Sequence, residues 1–479
     1  MPFVTPALTP ALPEFCMAGM ICLILVIDVF LRDSQRHITY GLAQFALLAT
    51  ALLVVIGHAA QAVVTFDGHY VKDGLADVLK VTLCLVVAAV LLYSRDYLRD
   101  RDAFKGEFYI LALAGVLGML VIVSAHSFLT LYLGLELFSL STYALVAFNR
   151  DSPAGSEAAI KYFVLGAIAS GMLLYGISMI YGATKTLDIQ AVSAIVAVQG
   201  RDNLLLAFGL VFLVVGIAFK LGAVPFHMWI PDVYHGASTA VTLYIGSGPK
   251  LAAFALTIRI LVDGLSPLHG DWQPMLTVLA TLSLVAGNLI AIAQTNIKRM
   301  LAYSTISHMG FLLLGVVAGT PLGYASALFY AIVYVLMAIG AFGIVIILSR
   351  AGFEAENIAD FKGLNERNPW LALMMLLIMM SMAGVPLLVG FYAKLAILQA
   401  VVSAGLIWLA VLALVFSVIG AFYYLRVVKF MYFDHAEDNA AVRAPLDTQI
   451  VISTNGLLMV ALGIYPTALM ALCAAAFHL

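Results

Sequence analysis

Fourteen stretches of this chain run for about 20 residues each with almost no charge inside them. A bilayer's hydrocarbon core, about 30 Å thick, needs roughly that many apolar residues in a helix. Barrel strands alternate in polarity and are only about ten residues long. Runs this long are therefore expected to be membrane-spanning helices, and the fold class is all-α integral membrane. The spans are placed near 11–31, 38–64, 74–95, 107–125, 127–148, 158–182, 202–224, 236–262, 273–293, 300–318, 322–349, 370–400, 405–433 and 449–476. Only 10% of the 479 residues are charged and 63% are hydrophobic. A soluble domain carries about 25% charge, so an aqueous fold is excluded. The net charge of −2 supplies no basic surface for nucleic acid.

Met1 to Glu14 holds no Lys or Arg. Signal and transit peptides need basic residues, so the first apolar run is expected to stay as a helix. Cys16, Cys22, Cys84 and Cys473 all lie in apolar stretches, with no CxxC pair and no histidine at zinc-like spacing. That pattern points to packing and gives no support to a disulfide, Fe–S, haem or metal site.

Basic residues in alternate loops set orientation. One side receives Arg32, Arg36, Arg95, Arg99, Arg101, Lys105, Arg150, Lys298, Arg299, Arg350, Lys362, Arg367, Arg426, Lys429 and Arg443, which makes 15. The other receives five: Lys72, Lys80, Lys185, Arg201 and Arg259. The richer side is expected to be cytoplasmic, which puts both termini outside and requires an even number of crossings.

Four of the 24 basic residues remain, and all four lie inside spans: Lys161, Lys220, Lys250 and Lys394. Among 26 acidic residues only Glu136 falls mid-span. A lysine at a helix centre costs roughly 2.5–3.5 kcal/mol on insertion scales, so three together cost on the order of 8–10 kcal/mol. Lys220, Lys250 and Lys394 each neighbour a Pro/Gly break, at Pro225, Pro249 and Pro386. Proline frees the carbonyl four residues earlier, here Leu221, Ile245 and Met382. Free carbonyls at membrane depth survive only where protein or cavity water satisfies them. A broken helix beside a titratable amine thus reads as a polar site for an ion path, most readily for protons. The competing reading is a buried salt bridge that fixes helix packing, or a lysine snorkelling to the interface. That alternative weighs most for Lys161, one turn after Glu157 near the cytoplasmic end. His308, mid-span among hydroxyl side chains, is a candidate relay. His227, two residues past Pro225, is read equally well as relay or packing. His58 and His126 are read as packing or interfacial groups.

The Lys220 and Lys394 regions are alike, with Gly222-Ala223-Val224-Pro225 matching Ala383-Gly384-Val385-Pro386. They lie on the seventh and twelfth spans. An odd offset makes the copies cross in opposite directions, as in the inverted repeats of transporters. The same offset relates Glu136 to His308.

At Leu131-Tyr132-Leu133-Gly134-Leu135-Glu136-Leu137-Phe138-Ser139-Leu140, at Phe219-Lys220-Leu221-Gly222-Ala223-Val224-Pro225-Phe226-His227-Met228-Trp229, at Lys298-Arg299-Met300-Leu301-Ala302-Tyr303-Ser304 through His308, and at Gly384-Val385-Pro386 with Lys394, the chain resembles one family. It is that of the antiporter-like membrane subunits of proton-pumping NADH:quinone oxidoreductase (respiratory complex I), on the subunit N branch. The chain is too short for the lateral helix of subunit L, and subunit M is similar but has glutamate where Lys394 stands. The resemblance implies three N-terminal helices (1–106), a first five-helix repeat (107–262), a second, inverted one (263–433), and a loop with a last helix (434–479). It implies that Glu136 pairs with Lys220 to gate proton uptake, with Glu157 and Lys161 in support. Lys250 would then bridge to the centre, His308 continue the relay and Lys394 load the proton for outward release. It further implies a bacterial inner membrane, other complex I membrane subunits and lipid as partners, and NADH, FMN, Fe–S clusters and quinone on partner subunits, with no cofactor or redox-active site on this chain. Multisubunit Na⁺/H⁺ antiporters share the pattern and stand as the alternative. A scaffold with packing ion pairs is the third reading.

Overall fold

The computed structural model describes residues 6–58, 61–199, 203–436, 442 and 444–477. Among these, thirteen helices are long and apolar enough to cross a bilayer. They are Thr9–Phe30, Asp33–Ile56, Gly74–Arg99, Gly106–Val123, Phe128–Val146, Pro153–Thr184, Leu204–Leu221, Thr239–Gly264, Ser266–Ile292, Ile297–Val317, Pro321–Leu348, Ile407–Phe433 and Leu446–Ile464. One more crossing, twelfth in chain order, is split into Pro369–Ala383 and Val389–Ser403. Numbered in chain order these are spans 1 to 14.

Helix starts follow from capping chemistry. A helix leaves its first backbone N–H groups unpaired, and a polar side chain just before it satisfies one of them. Asp73, Ser127, Ser152, Asn296, Thr320 and Asn368 each accept from the backbone N–H three residues on, opening spans 3, 5, 6, 10, 11 and 12. Pro153, Pro321 and Pro369 occupy the first helical position, where the missing donor costs nothing.

Spans 4 and 5 approach through glycine: a Cβ on Gly118 would sit 2.5 Å from the Phe138 nitrogen. Spans 9 and 10 do the same at Gly287, where a Cβ would sit 2.7 Å from the Ser307 nitrogen. Spans 8, 10 and 11 are buried on nearly every face, whereas spans 1, 2, 13 and 14 turn Val29, Phe30, Ile56, Val418 and Ile464 outward. An apolar exterior of that extent needs lipid or partner subunits to cover it.

Some boundaries differ from expectation. Span 2 ends at Ile56, well short of 64, and the chain then forms an antiparallel hairpin of Val63–Thr65 with Tyr70–Lys72. Span 14 does not run to 476. It stops at Ile464, because Pro466 cannot extend it, and Thr467–Ala475 forms a separate helix. Between spans 6 and 7 lies a short helix, Ile189–Gln199, that the apolar runs did not indicate. Arg201 and Arg443, counted above for orientation, lie outside the described residues.

Candidate functional site, a file of buried amines on broken helices

Span 7 ends at Leu221, and Gly222 caps it in the left-handed region at φ +80°. Its N–H donates to Ala218 O, and the N–H of Ala223 returns to the same carbonyl. The first half of span 12 ends identically: Gly384 stands at φ +88°, its N–H donates to Met380 O, and Val385 N–H returns to Met380 O. Only glycine reaches this conformation without steric cost, so each Gly-Val/Ala-Pro segment is a built helix stop.

The carbonyls exposed by those stops receive the lysines. Lys250, 1% exposed, donates from Nζ to Leu221 O at 3.0 Å. Lys394, 9% exposed, donates to Met382 O and Ala383 O, both at 3.0 Å, and to Ser417 Oγ at 2.9 Å. Two of the three carbonyls freed by proline are therefore lysine acceptors. At Leu221 the donor is Lys250 from span 8 and not the adjacent Lys220. Span 8 is itself broken into Thr239–Ile245 and Gly248–Thr257, followed by a wide turn over Ile258–Gly264.

Lys220, in the last turn of span 7, is buried and donates to Ser139 Oγ at 2.8 Å. Ser139 gives its own proton to Leu135 O at 2.6 Å, so it acts toward Lys220 purely as acceptor. Glu136 lies one turn before Ser139, half-buried, with Oε1 free of hydrogen bonds. Among the described residues no ion pair joins Glu136 to Lys220 in this state. The Phe138, Tyr143 and Phe219 rings surround the amine at 5.8–6.0 Å, a distance at which ring quadrupoles favour an ammonium.

In the second half, His308 is 3% exposed and bonded on both ring nitrogens. Nδ1 is 2.7 Å from Tyr330 OH and Nε2 is 3.0 Å from Tyr424 OH, which in turn is 2.5 Å from Ser304 Oγ. His308, Lys394, Asn288, Ser307, Ser417 and Tyr424 help to line a cavity of about 10 Å³, room for roughly one water. This cavity places the histidine and the lysine on one polar space.

His227 is half-buried in the turn after the span 7 stop, with Nδ1 unbonded. Lys161 is exposed on span 6 and pairs with Glu157 at 2.9 Å and Asp232 at 2.8 Å. Asp232 stands in a short helix, Trp229–Gly236, that continues from the broken span 7. It also pairs with Arg299 at 3.1 Å, linking span 6 to span 10. Partial burial works against its charge, but hydrogen bonds from Lys161 and Arg299 prevail and hold its carboxyl below the usual range.

Sequence reasoning missed Asp232, which lies outside every apolar run and carries no periodic signal. It also counted Lys80 with the outer loops. Lys80 is 1% exposed inside span 3, 2.5 Å from Glu14 of span 1 and 2.8 Å from Tyr70. Arg259, counted the same way, is 5% exposed and held by Asp73 at 2.7 Å and Asp263 at 3.0 Å. A signal was present for both, because each falls within its own predicted span.

Residues 125–420 match the family described as NADH:quinone oxidoreductase/Mrp antiporter, transmembrane. The NADH-quinone oxidoreductase subunit N of Thioalkalivibrio sulfidiphilus is 61% identical over 477 residues, covering 99% of both chains. A chain in the structure of respiratory complex I from Thermus thermophilus with bound aureothin superposes with TM-score 0.83 at 31% identity, over 96% of this chain and 99% of that one. A chain of the Mrp complex from Dietzia sp. shares the fold, with TM-score 0.84 at 20% identity, over 98% of this chain and 97% of that one. The family match over residues 125–420 and 61% identity across nearly the full length of a subunit N show that this multi-pass membrane chain belongs to the NADH:quinone oxidoreductase/Mrp antiporter family, on its subunit N branch.

Proposed function

We propose that the chain translocates protons as a membrane subunit of NADH:quinone oxidoreductase, driven by quinone reduction in partner subunits. The observation that carries this reading is the file of buried amines, Lys220, Lys250 and Lys394, two of them seated on carbonyls of broken helices. A buried amine is costly to charge without a partner, and a nearby carboxylate restores the charge. The reading needs a moving charge, and Glu136 is suited to supply it. Its unbonded oxygen lies one turn from the serine that holds Lys220, on a face where Leu133, Leu137 and Leu140 are exposed toward lipid or a partner. In this scheme Glu136 and Lys220 gate proton uptake, supported by Glu157, Lys161 and His227. Lys250 bridges to the centre, His308 continues the relay and Lys394 releases outward. The five-helix repeats run over 107–262 and 263–433, between three N-terminal helices and the last one. Both termini lie on the periplasmic side of a bacterial inner membrane. In this scheme NADH, FMN, Fe–S clusters and quinone are bound by partner subunits.

Cation–proton exchange, as in a multisubunit Na⁺/H⁺ antiporter, is the less favoured reading, because the relative 61% identical over nearly the full length is a subunit N. Inverted vesicles from cells carrying or lacking the chain test the choice. NADH-driven acidification that needs the chain and ignores Na⁺ supports proton pumping. Exchange that proceeds without NADH and requires Na⁺ refutes it.

A further inference from the structure

The relay has two halves, and its groups on spans 5, 7 and 8 must communicate with those on spans 10, 12 and 13. Lys250 is bonded to Leu221 O, within the first half, and His308 to Tyr330 and Tyr424, within the second. The Tyr334 side chain reaches from the Lys250 break to the neighbourhood of His308. Tyr334, on span 11 and 1% exposed, has its hydroxyl 2.8 Å from Thr305 Oγ1 and donates to Gly246 O at 3.3 Å. Gly246 is at the break of span 8, one turn before Lys250. Thr305 lies one turn before His308 on span 10, and the Tyr334 ring packs 5.3 Å from the imidazole.

The protons show how this contact can switch. Thr305 spends its own hydrogen on Leu301 O at 2.9 Å, so toward Tyr334 it is an acceptor. The single phenolic proton of Tyr334 therefore has two acceptors, one in each half. Tyr330 is four residues earlier on the same helix face, and its hydroxyl is already bonded to His308 Nδ1 at 2.7 Å.

Building on the proton-relay reading above, we propose that Tyr334 is the hydroxyl through which the Lys250 site hands protons to the His308 site. A proton from the Lys250 ammonium, carried by water where the interval exceeds hydrogen-bond reach, arrives on the Tyr334 oxygen. The phenol releases its own proton toward Tyr330 and His308. The net step breaks one N–H bond on Lys250 and forms one on His308. It leaves a neutral amine and an imidazolium, with the tyrosine neutral before and after.

The test uses the assembled complex in inverted vesicles, with Tyr334→Phe beside Lys250→Met and His308→Ala. Phenylalanine keeps the ring against His308 and removes only the hydroxyl. NADH-driven proton uptake and coupled turnover are expected to fall about tenfold or more in all three variants. Replacing Tyr334 by 3,5-difluorotyrosine keeps the hydroxyl and makes it more acidic, so uptake is expected to return with its pH profile displaced downward. A structural hydroxyl would not move that profile. Wild-type uptake in Tyr334→Phe, with the other two impaired, overturns the proposal and leaves the relay standing. Wild-type uptake in all three overturns both. If Tyr334→Phe fails to assemble, the difluorotyrosine profile decides: a shift supports the hand-over and an unmoved profile overturns it.

Discussion

Lys394→Arg separates the two things Lys394 does in the structure, holding charge on a broken helix and, on our reading, giving up a proton. The amine donates to Met382 O, Ala383 O and Ser417 Oγ at 2.9–3.0 Å. Removing it altogether, as in Lys394→Met, leaves two buried carbonyls unsatisfied at about 1–3 kcal/mol each. Against this stands relief of roughly 2.5–3.5 kcal/mol for taking a charge out of the bilayer centre. The net cost is at most about 3–4 kcal/mol, so the methionine variant is expected to assemble. Arginine keeps the donors and the charge, at an overpacking cost of about 1–3 kcal/mol, because Gly384 leaves little room beside Lys394. It differs in proton release. A guanidinium does not give up its proton in proteins, so the deprotonated fraction at neutral pH falls at least about 40-fold relative to an ordinary lysine. If Lys394 must release its proton in every cycle, pumping falls by at least about 40-fold in Lys394→Arg while the complex remains assembled. The assay is acridine-dye quenching in inverted vesicles driven by NADH, normalised to assembled complex on native gels. Pumping at the wild-type rate in assembled Lys394→Arg would refute the reasoning, since a group that never deprotonates would then suffice.

Glu14→Gln strips the counter-charge from Lys80, a 1% exposed amine, and is expected to cost about 3–5 kcal/mol; thermal stability of the purified complex checks it, and Glu14→Leu with Lys80→Met is expected to recover most of the loss. Gly384→Ala forces a side chain into φ +88° and is expected to cost about 1–2 kcal/mol, seen as a lower melting temperature. Asp232 has a folded pKa below its unfolded value of about 3.9, so the stability its pairs contribute is present above that value and lost as pH falls through the folded one. The melting-temperature gap between wild type and Asp232→Asn is therefore expected to be constant from pH 5 to 8 and to close in stronger acid. A gap that changes across neutral pH would contradict the assignment.

Much of this architecture was legible because the bilayer allows few solutions. Continuous apolar runs can only be helices there, and proline spacing pointed to Leu221 and Met382, the carbonyls that Lys250 and Lys394 occupy. Which lysine reaches Leu221 was not legible, since it depends on how spans 7 and 8 pack. Tyr334 and Asp232 were invisible for a related reason: a tyrosine in an apolar span and an aspartate between two apolar runs look ordinary until the fold brings Gly246 and Lys161 to them. Pro466 did signal the end of span 14, but the apolar residues around it masked the break.

The most direct measurement is NADH-driven proton uptake by inverted vesicles carrying Lys220→Ala, with assembly and NADH–quinone turnover followed in parallel. The account predicts an assembled complex in which pumping and coupled turnover fall together. Pumping and turnover both at wild-type levels in that assembled variant would contradict it.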